Sequence, residues 1–225
     1  TAQGVEDVRR TTGVRDAFPI DVTDQASVDA AVAWIAAREP HGLVTVCNVA
    51  GAMMGGMIEW TPLETFRKEM ELNYFGLLRV ARAFTPLLRA WAQAGHAGAR
   101  FVAVTSMIAL MPSFPGLGGY AASKAAADSL MNTLRSELSA FGVHVVNINP
   151  GITKTPFLTG GPSNQTKAWN AAPPAVRAAY GEPYATWWSD TIQFGIDWLA
   201  QSPDDAIGCV FDACCCSWPK TRYFA

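Results

Sequence analysis

Phe101-Val102-Ala103-Val104-Thr105-Ser106 is apolar through its fourth residue and then closes on two hydroxyls. A strand without polar alternation has no solvated face, so it is expected inside a parallel sheet covered on both sides. Outward from it, β-rich runs recur at 17–22, 43–48 and 143–149. Helical periodicities separate them at 27–38, 63–92 and 120–141. The first of these follows Asp24, an N-cap residue type, and carries Val28, Val32 and Ile35 on one stripe. Strand alternating with helix implies right-handed crossovers and an α/β fold with a doubly wound parallel sheet. No repeat or linker interrupts the pattern before 150; a Pro-, Gly-, Ser- and Trp-rich stretch then runs to 186, followed by short helical patterns at 187–200 and 204–216.

The 225 residues are 50% hydrophobic and 16% charged, which excludes a disordered tail and describes one folded domain. Seventeen Lys plus Arg against 19 Asp plus Glu leave a net charge of -2 and no cationic surplus for a phosphate backbone, so nucleic acid is not an expected partner. Apolar runs are broken by charge or Gly well short of the roughly twenty residues a bilayer span requires. Five Cys, three of them consecutive at Cys214, Cys215 and Cys216, and three scattered His fit neither a disulfide framework nor a zinc site. Reduced thiols in an intracellular setting are the expectation, with no metal.

In an open parallel sheet, ligands collect beyond the carboxyl ends of the strands, where loops and helix N-termini converge. Each predicted strand end carries a polar or Gly-bearing cluster: Asp21-Val22-Thr23-Asp24, Asn48-Val49-Ala50-Gly51, Thr105-Ser106 and Asn149-Pro150-Gly151. Tyr120 and Lys124, at i and i+4 of a predicted helix, share one face. An ammonium beside a phenol favours the phenolate, so Lys124 is expected to lower the Tyr120 pKa and make it a proton donor and acceptor for an alcohol or carbonyl oxygen. Ser106 stands on the same rim. Asn73 falls inside the long helix, where an amide has poor propensity and needs another reason to be present.

Together these residues resemble the short-chain dehydrogenase/reductase family, whose fold is a single Rossmann domain. Asn48-Val49-Ala50-Gly51 is similar to its Asn-Asn-Ala-Gly motif, Asn73 to its helix Asn, and Ser106 with Tyr120 and Lys124 to its catalytic trio. Pro150-Gly151-Ile152-Thr153-Lys154-Thr155 is similar to its Pro-Gly-x-x-x-Thr segment. Glu71-Leu72-Asn73-Tyr74-Phe75-Gly76 and Gly118-Gly119-Tyr120 are similar to the branch of retinol, 17-beta-hydroxysteroid and 3-hydroxybutyrate dehydrogenases.

The resemblance implies an NAD or NADP cofactor and a catalytic set of Asn73, Ser106, Tyr120 and Lys124. Tyr120 would be the general acid/base, Lys124 its modulator and a ligand of the nicotinamide ribose, Ser106 the group orienting the substrate oxygen, and Asn73 the holder of a relay water. Cofactor contacts would come from Asp21, Val22, Asn48, Ala50, Gly51, Tyr120, Lys124, Pro150, Gly151, Ile152, Thr153 and Thr155. Residues 156–200 would form a variable lid. The family's first strand and its Gly-x-x-x-Gly-x-Gly loop are not present after Thr1, and Gly4 and Gly13 do not supply that loop. The expectation is therefore an incomplete Rossmann domain over 1–225. The residue that separates NAD from NADP would precede Thr1.

Met53, Met54, Met57 and Trp60, then Met107, Ile108, Leu110, Met111 and Phe114, then Phe157, Leu158, Trp169, Tyr184, Trp187 and Trp188 crowd the expected pocket. That density predicts a small apolar alcohol or ketone, such as a steroid, retinoid or related lipid alcohol, rather than a charged hydroxy acid. The resemblance also implies a homo-oligomer, a dimer or tetramer, with Leu72, Phe75, Leu130 and Leu134 as interface candidates. It is compatible with a cytoplasmic site or association with an organelle membrane. The competing expectation is a non-catalytic Rossmann scaffold or binding protein that has lost its cofactor.

Overall fold

A computed structural model describes residues 5, 6, 8, 10, 12, 14–112 and 114–225; Thr1, Gly4 and Gly13 lie outside them. In chain order the elements are α1 (Gln25–Ala36), β1 (Thr45–Asn48), α2 (Leu63–Met70), a π-helical turn (Glu71–Phe75), α3 (Gly76–Gln93), β2 (Arg100–Val104), α4 (Gly118–Ser139) and β3 (His144–Asn149). They continue with α5 (Pro156–Ala171), α6 (Pro174–Tyr180), α7 (Glu182–Leu199), α8 (Pro203–Cys215) and β4 (Arg222–Phe224). The four strands form one parallel sheet in the order β1-β2-β3-β4. In its register Cys47 faces Val102, Val102 faces Val146, and Ile148 faces Tyr223.

Alternate residues of the strands feed two cores, as a pleat of period two requires. Phe101, Ala103 and Val145 pack with Val28 of α1, Leu77, Phe84 and Leu88 of α3, and Met131, Leu134 and Leu138 of α4. On the other face, Val102, Val146, Ile148 and Tyr223 pack with Ala213 of α8. Helices therefore cover both sides, the doubly wound α/β arrangement expected from the unbroken apolar strands.

The run at 17–22 departs from expectation, because it forms no strand. Among the described residues β1 is an edge strand paired with β2, and the 17–22 run adds no rung to its other edge. Phe18 instead stacks near Trp34, with ring centroids 5.3 Å apart. Asp21 then turns the chain into α1: its Oδ1 accepts from the Thr23 N–H and hydroxyl at 2.9 and 2.7 Å, a local side-chain bond that competes with strand geometry.

Residues 156–186 are the second departure: they are helical across α5, α6 and the start of α7, each beginning with Pro in its first turn, where the missing N–H costs no helix bond, and α7 runs on through the helical pattern expected at 187–200. Of the four interface candidates, Leu134 lies in the main core, Leu72 and Leu130 are partly buried against it, and Phe75 is 43% exposed. Cys47 and Cys214 share a hydrogen bond behind the sheet, and burial pushes the Cys47 thiol up to about 12. No helix among the described residues is long and apolar enough to cross a membrane.

Candidate active site

Because the strands are parallel, β1, β2 and β3 all end at one rim. Two cross-links tie the rim loops to each other: the Met107 N–H donates to Pro150 O at 2.9 Å, and the buried Asn149 amide donates to Ser106 O at 3.0 Å. Ser106 follows β2 in fully extended backbone and caps a short 3-10 turn, its Oγ accepting from the Ile108 N–H at 3.2 Å. The same side chain is hydrogen-bonded to Tyr120, at the start of α4.

One turn further along α4, Lys124 is buried; its Nζ lies 5.8 Å from the Tyr120 ring centroid and donates to Val104 O at 3.2 Å. An ammonium has three donors, so this bond leaves capacity for ligand hydroxyls. Burial lowers Lys124 to about 8. Burial also pushes Tyr120 up to about 12, with the Ser106 bond pulling down and the Glu69 carboxylate adding to the rise. The expectation that Lys124 lowers the phenol is thus corrected for this state of the site. Both groups are desolvated, which disfavours phenolate and ammonium alike.

Asn73 sits in the π-helical turn, a local widening that recurs at functional sites. Its Oδ1 accepts from the Ala52 N–H, and its Nδ2 donates to Ala52 O and Ser123 Oγ, all at 2.9 Å. Both amide protons are used within the chain, so the side chain is a clasp between the loop after β1 and α4. Asn48 is buried at the end of β1, and Ala50 and Gly51 are half-buried beyond it. A Cβ at Gly51 would lie 3.1 Å from both Asn73 Oδ1 and Lys124 Nζ, so the missing side chain lets backbone reach the Lys124 ammonium.

On the far side of the rim, Gly151 N–H donates to Ala225 O, and Ile152 O accepts from the Gln201 N–H at 2.8 Å. Thr153 pairs with Gln201, and Thr155 is the N-cap residue of α5 without a side-chain capping bond. Asp21 is exposed. The Val22 side chain is buried against Gly76, where a Cβ would lie 2.8 Å from Val22 Cγ2. Its packing is spent on the core, leaving backbone as the part that can meet a ligand. The structure thus brings Gly51, Asn73, Ser106, Tyr120, Lys124 and Pro150 into one linked cluster, with Asn48 at the end of β1 and Asp21 and Val22 at the entrance to α1.

The apolar set divides. Trp60, Trp169 and Trp188 are buried with Met57 in a satellite core formed with α5, α6 and α7, Trp60 and Trp169 with centroids 4.7 Å apart and Tyr184 packed against them. Leu110, Met111, Phe114 and Trp187 remain exposed, and Met53, Met54, Met107, Ile108 and Leu158 are half-buried. The Phe157 side chain lies outside the described ones. Reading the sequence also missed Glu69, Gln165 and the Asp128–Arg222 pair. Glu69 stands one helical turn before Asn73 and Asp128 one turn after Lys124, so shared helix faces were the available signal.

The family model for short chain dehydrogenase matches residues 1–166. The chain belongs to the short chain dehydrogenase family. This family member is 34% identical over 165 residues to "Uncharacterized oxidoreductase YusZ" of Bacillus subtilis, covering 73% of the chain and 54% of that protein. It is 30% identical over 233 residues to "Retinol dehydrogenase 16" of Rattus norvegicus, covering 100% of the chain and 70% of the relative. The chain therefore spans about half the length of the first of these curated relatives and 70% of the second. Among solved structures, a short-chain dehydrogenase from Streptomyces avermitilis superposes with a TM-score of 0.75 at 23% identity, covering 100% of this chain and 75% of that one. A family structure from Burkholderia phymatum in complex with NAD gives 0.73 at 22% identity, covering 99% and 75%. At these identities the likeness shows the fold.

Proposed function

We propose that the chain works as an NAD(P)-dependent dehydrogenase or reductase, acting on the CH–OH or carbonyl group of an apolar substrate such as a steroid, retinoid or related lipid alcohol. The observation that carries this reading is the Ser106–Tyr120 hydrogen bond beside buried Lys124 at the carboxyl ends of the strands. The site fits a dinucleotide: Gly51 offers a side-chain-free approach to Lys124, which retains donors for ribose hydroxyls. A bound nicotinamide supplies the hydride chemistry. The protein's own part is positional and acid–base.

Ser106 Oγ orients the substrate oxygen. The Tyr120 hydroxyl, held against Ser106, gives that oxygen a proton when a carbonyl is reduced and takes one when an alcohol is oxidised. Lys124 holds its charge near the phenol; Asn73, expected to hold a relay water, instead spends its side-chain amide on Ala52 and Ser123 and so fixes the loop beside Lys124. Residues 48–51 would hold the cofactor ribose, residues 150–155 the nicotinamide side, and Asp21 with the Val22 backbone the adenine end. Half-buried Met53, Met107 and Ile108 and exposed Leu110, Met111 and Phe114 support an apolar substrate. The names of the retinol and 17-beta-hydroxysteroid relatives agree with that class.

The test uses protein expressed from its complete reading frame, with NAD or NADP and a panel of apolar alcohols and ketones. Tyr120→Phe is expected to reduce kcat by about 10²–10⁴-fold with an unchanged circular dichroism spectrum. Retained turnover would remove Tyr120 as the acid–base group. Failure to bind either dinucleotide by calorimetry would replace the enzyme with a non-catalytic scaffold.

A further inference from the structure

Glu69 is a wholly buried carboxyl on α2. Its Oε1 accepts from the Met54 and Gly55 N–H groups at 2.7 and 3.2 Å. Among the described residues its Oε2 has no hydrogen-bond partner. That oxygen lies between two glycines: a Cβ at Gly55 would sit 3.2 Å from it, and one at Gly119 would collide with it and with the Phe66 ring. The residue after Gly119 is Tyr120. Glu69 and Asn73 are one turn apart on the same helix face, and together they grip consecutive parts of one loop, Asn73 at Ala52 and Glu69 at Met54 and Gly55.

Holding the loop needs a single acceptor, which an amide would provide without burying an ionisable oxygen. A carboxyl with one oxygen unmatched in a protein interior is costly, and such groups cluster where charge is put to use. We propose that Glu69 is a positioning residue of the oxidoreductase reaction, an inference that rests on the assignment of Tyr120. Its Oε1 fixes the cleft loop at Met54 and Gly55, and the charge on its Oε2 opposes formation of the Tyr120 phenolate. The consequence is directional: Tyr120 keeps its proton, and so serves as the acid of carbonyl reduction, to higher pH than it would without Glu69.

The surrounding charges leave this role to Glu69. On α4 the contact with Glu69 is at Gly119, and the ionisable residues that follow it are Tyr120 and Lys124. On the loop Glu59 is bonded to Tyr180, and on the helix Glu71 is paired with Arg79, while Arg67 and Lys68 are exposed. Burial raises the Glu69 carboxyl and the two loop amides pull it back, so it ionises above the ordinary carboxylate range. The Tyr120 phenol in turn feels that carboxylate.

Glu69→Gln keeps the oxygen acceptor and removes the charge. In protein carrying ring-labelled tyrosine, the Tyr120 resonance, assigned by its loss in Tyr120→Phe, is expected to titrate about one pH unit lower in Glu69→Gln than in the parent. The alkaline fall of the ketone-reduction rate should move down with it. An unchanged midpoint in a folded Glu69→Gln protein overturns the proposal. If circular dichroism shows that this variant has not folded, Glu69→Met, uncharged and of similar volume, carries the same comparison; failure of both to fold makes Glu69 a structural residue and also overturns it. The resonance measurement needs no turnover. A parent protein inactive on every substrate and cofactor would therefore defeat the oxidoreductase reading while the midpoint still decides the role of Glu69.

Discussion

At Gly51 the space for a side chain is already taken by Asn73 Oδ1 and Lys124 Nζ, each 3.1 Å from where a Cβ would stand. The backbone there is not left-handed, so the requirement is for room alone. In Gly51→Ala the fold has little reason to change, but Lys124 must leave its bond to Val104 O or the loop must lift. Dinucleotide affinity measured by calorimetry is expected to fall about tenfold, the loss of roughly one charged hydrogen bond. The motif around Gly51 was legible in the sequence. The identity of the atoms pressing on it was not, because Asn73 and Lys124 come from helices 22 and 73 residues further along the chain.

The helical pattern from Leu63 onward reads as one continuous element, and the chain does continue through α2, the π-helical turn and α3 without a break. The widened turn itself left no mark on the apolar periodicity. Its stabilising contacts are tertiary: Gly76 packs on Val22, and Asn73 uses its amide on Ala52 and Ser123. Asn73→Ala strands the Ala52 N–H and carbonyl away from their partners and is expected to destabilise the protein by about 2 kcal/mol. Hydrogen exchange at the Ala52 and Met54 amides should accelerate more than exchange in β2, which makes no contact with this side chain. The segment 156–186 is the opposite case. Its Pro- and Gly-rich composition hid helices whose stability comes from the Trp60, Trp169 and Trp188 cluster rather than from local propensity.

Across the whole molecule, one polar network joins α4, β3 and β4. Arg222 donates to both Asp128 oxygens, at 2.7 and 2.9 Å, and to Asn149 Oδ1, while the Asn147 and Asn149 amides donate to Asp128 Oδ1. Asn149 continues to Thr105 Oγ1 and Ser106 O, so β4 is tied to the rim that carries Ser106. Burial alone would raise the Asp128 carboxyl, but the bonds from Arg222, Asn147 and Asn149 hold it at about 2. A carboxyl depressed in the folded state stabilises above its ordinary value of 3.8 and loses that contribution as pH falls towards 2. The contribution is about 1–2 kcal/mol at neutral pH. Thermal melts of the parent and Asp128→Asn should therefore be well separated at pH 7, with the gap closing between about pH 4 and pH 2. What the sequence by itself determined was the strand and helix alternation, the parallel sheet and the residues at its strand ends, because periodicity and short motifs are local properties. Tertiary structure alone decided the state of those residues. Burial raised Tyr120 and lowered Lys124, Asn73 became a clasp, and Glu69 came to lie against Gly119, the residue before Tyr120, because desolvation and contact depend on which distant segments close over a site.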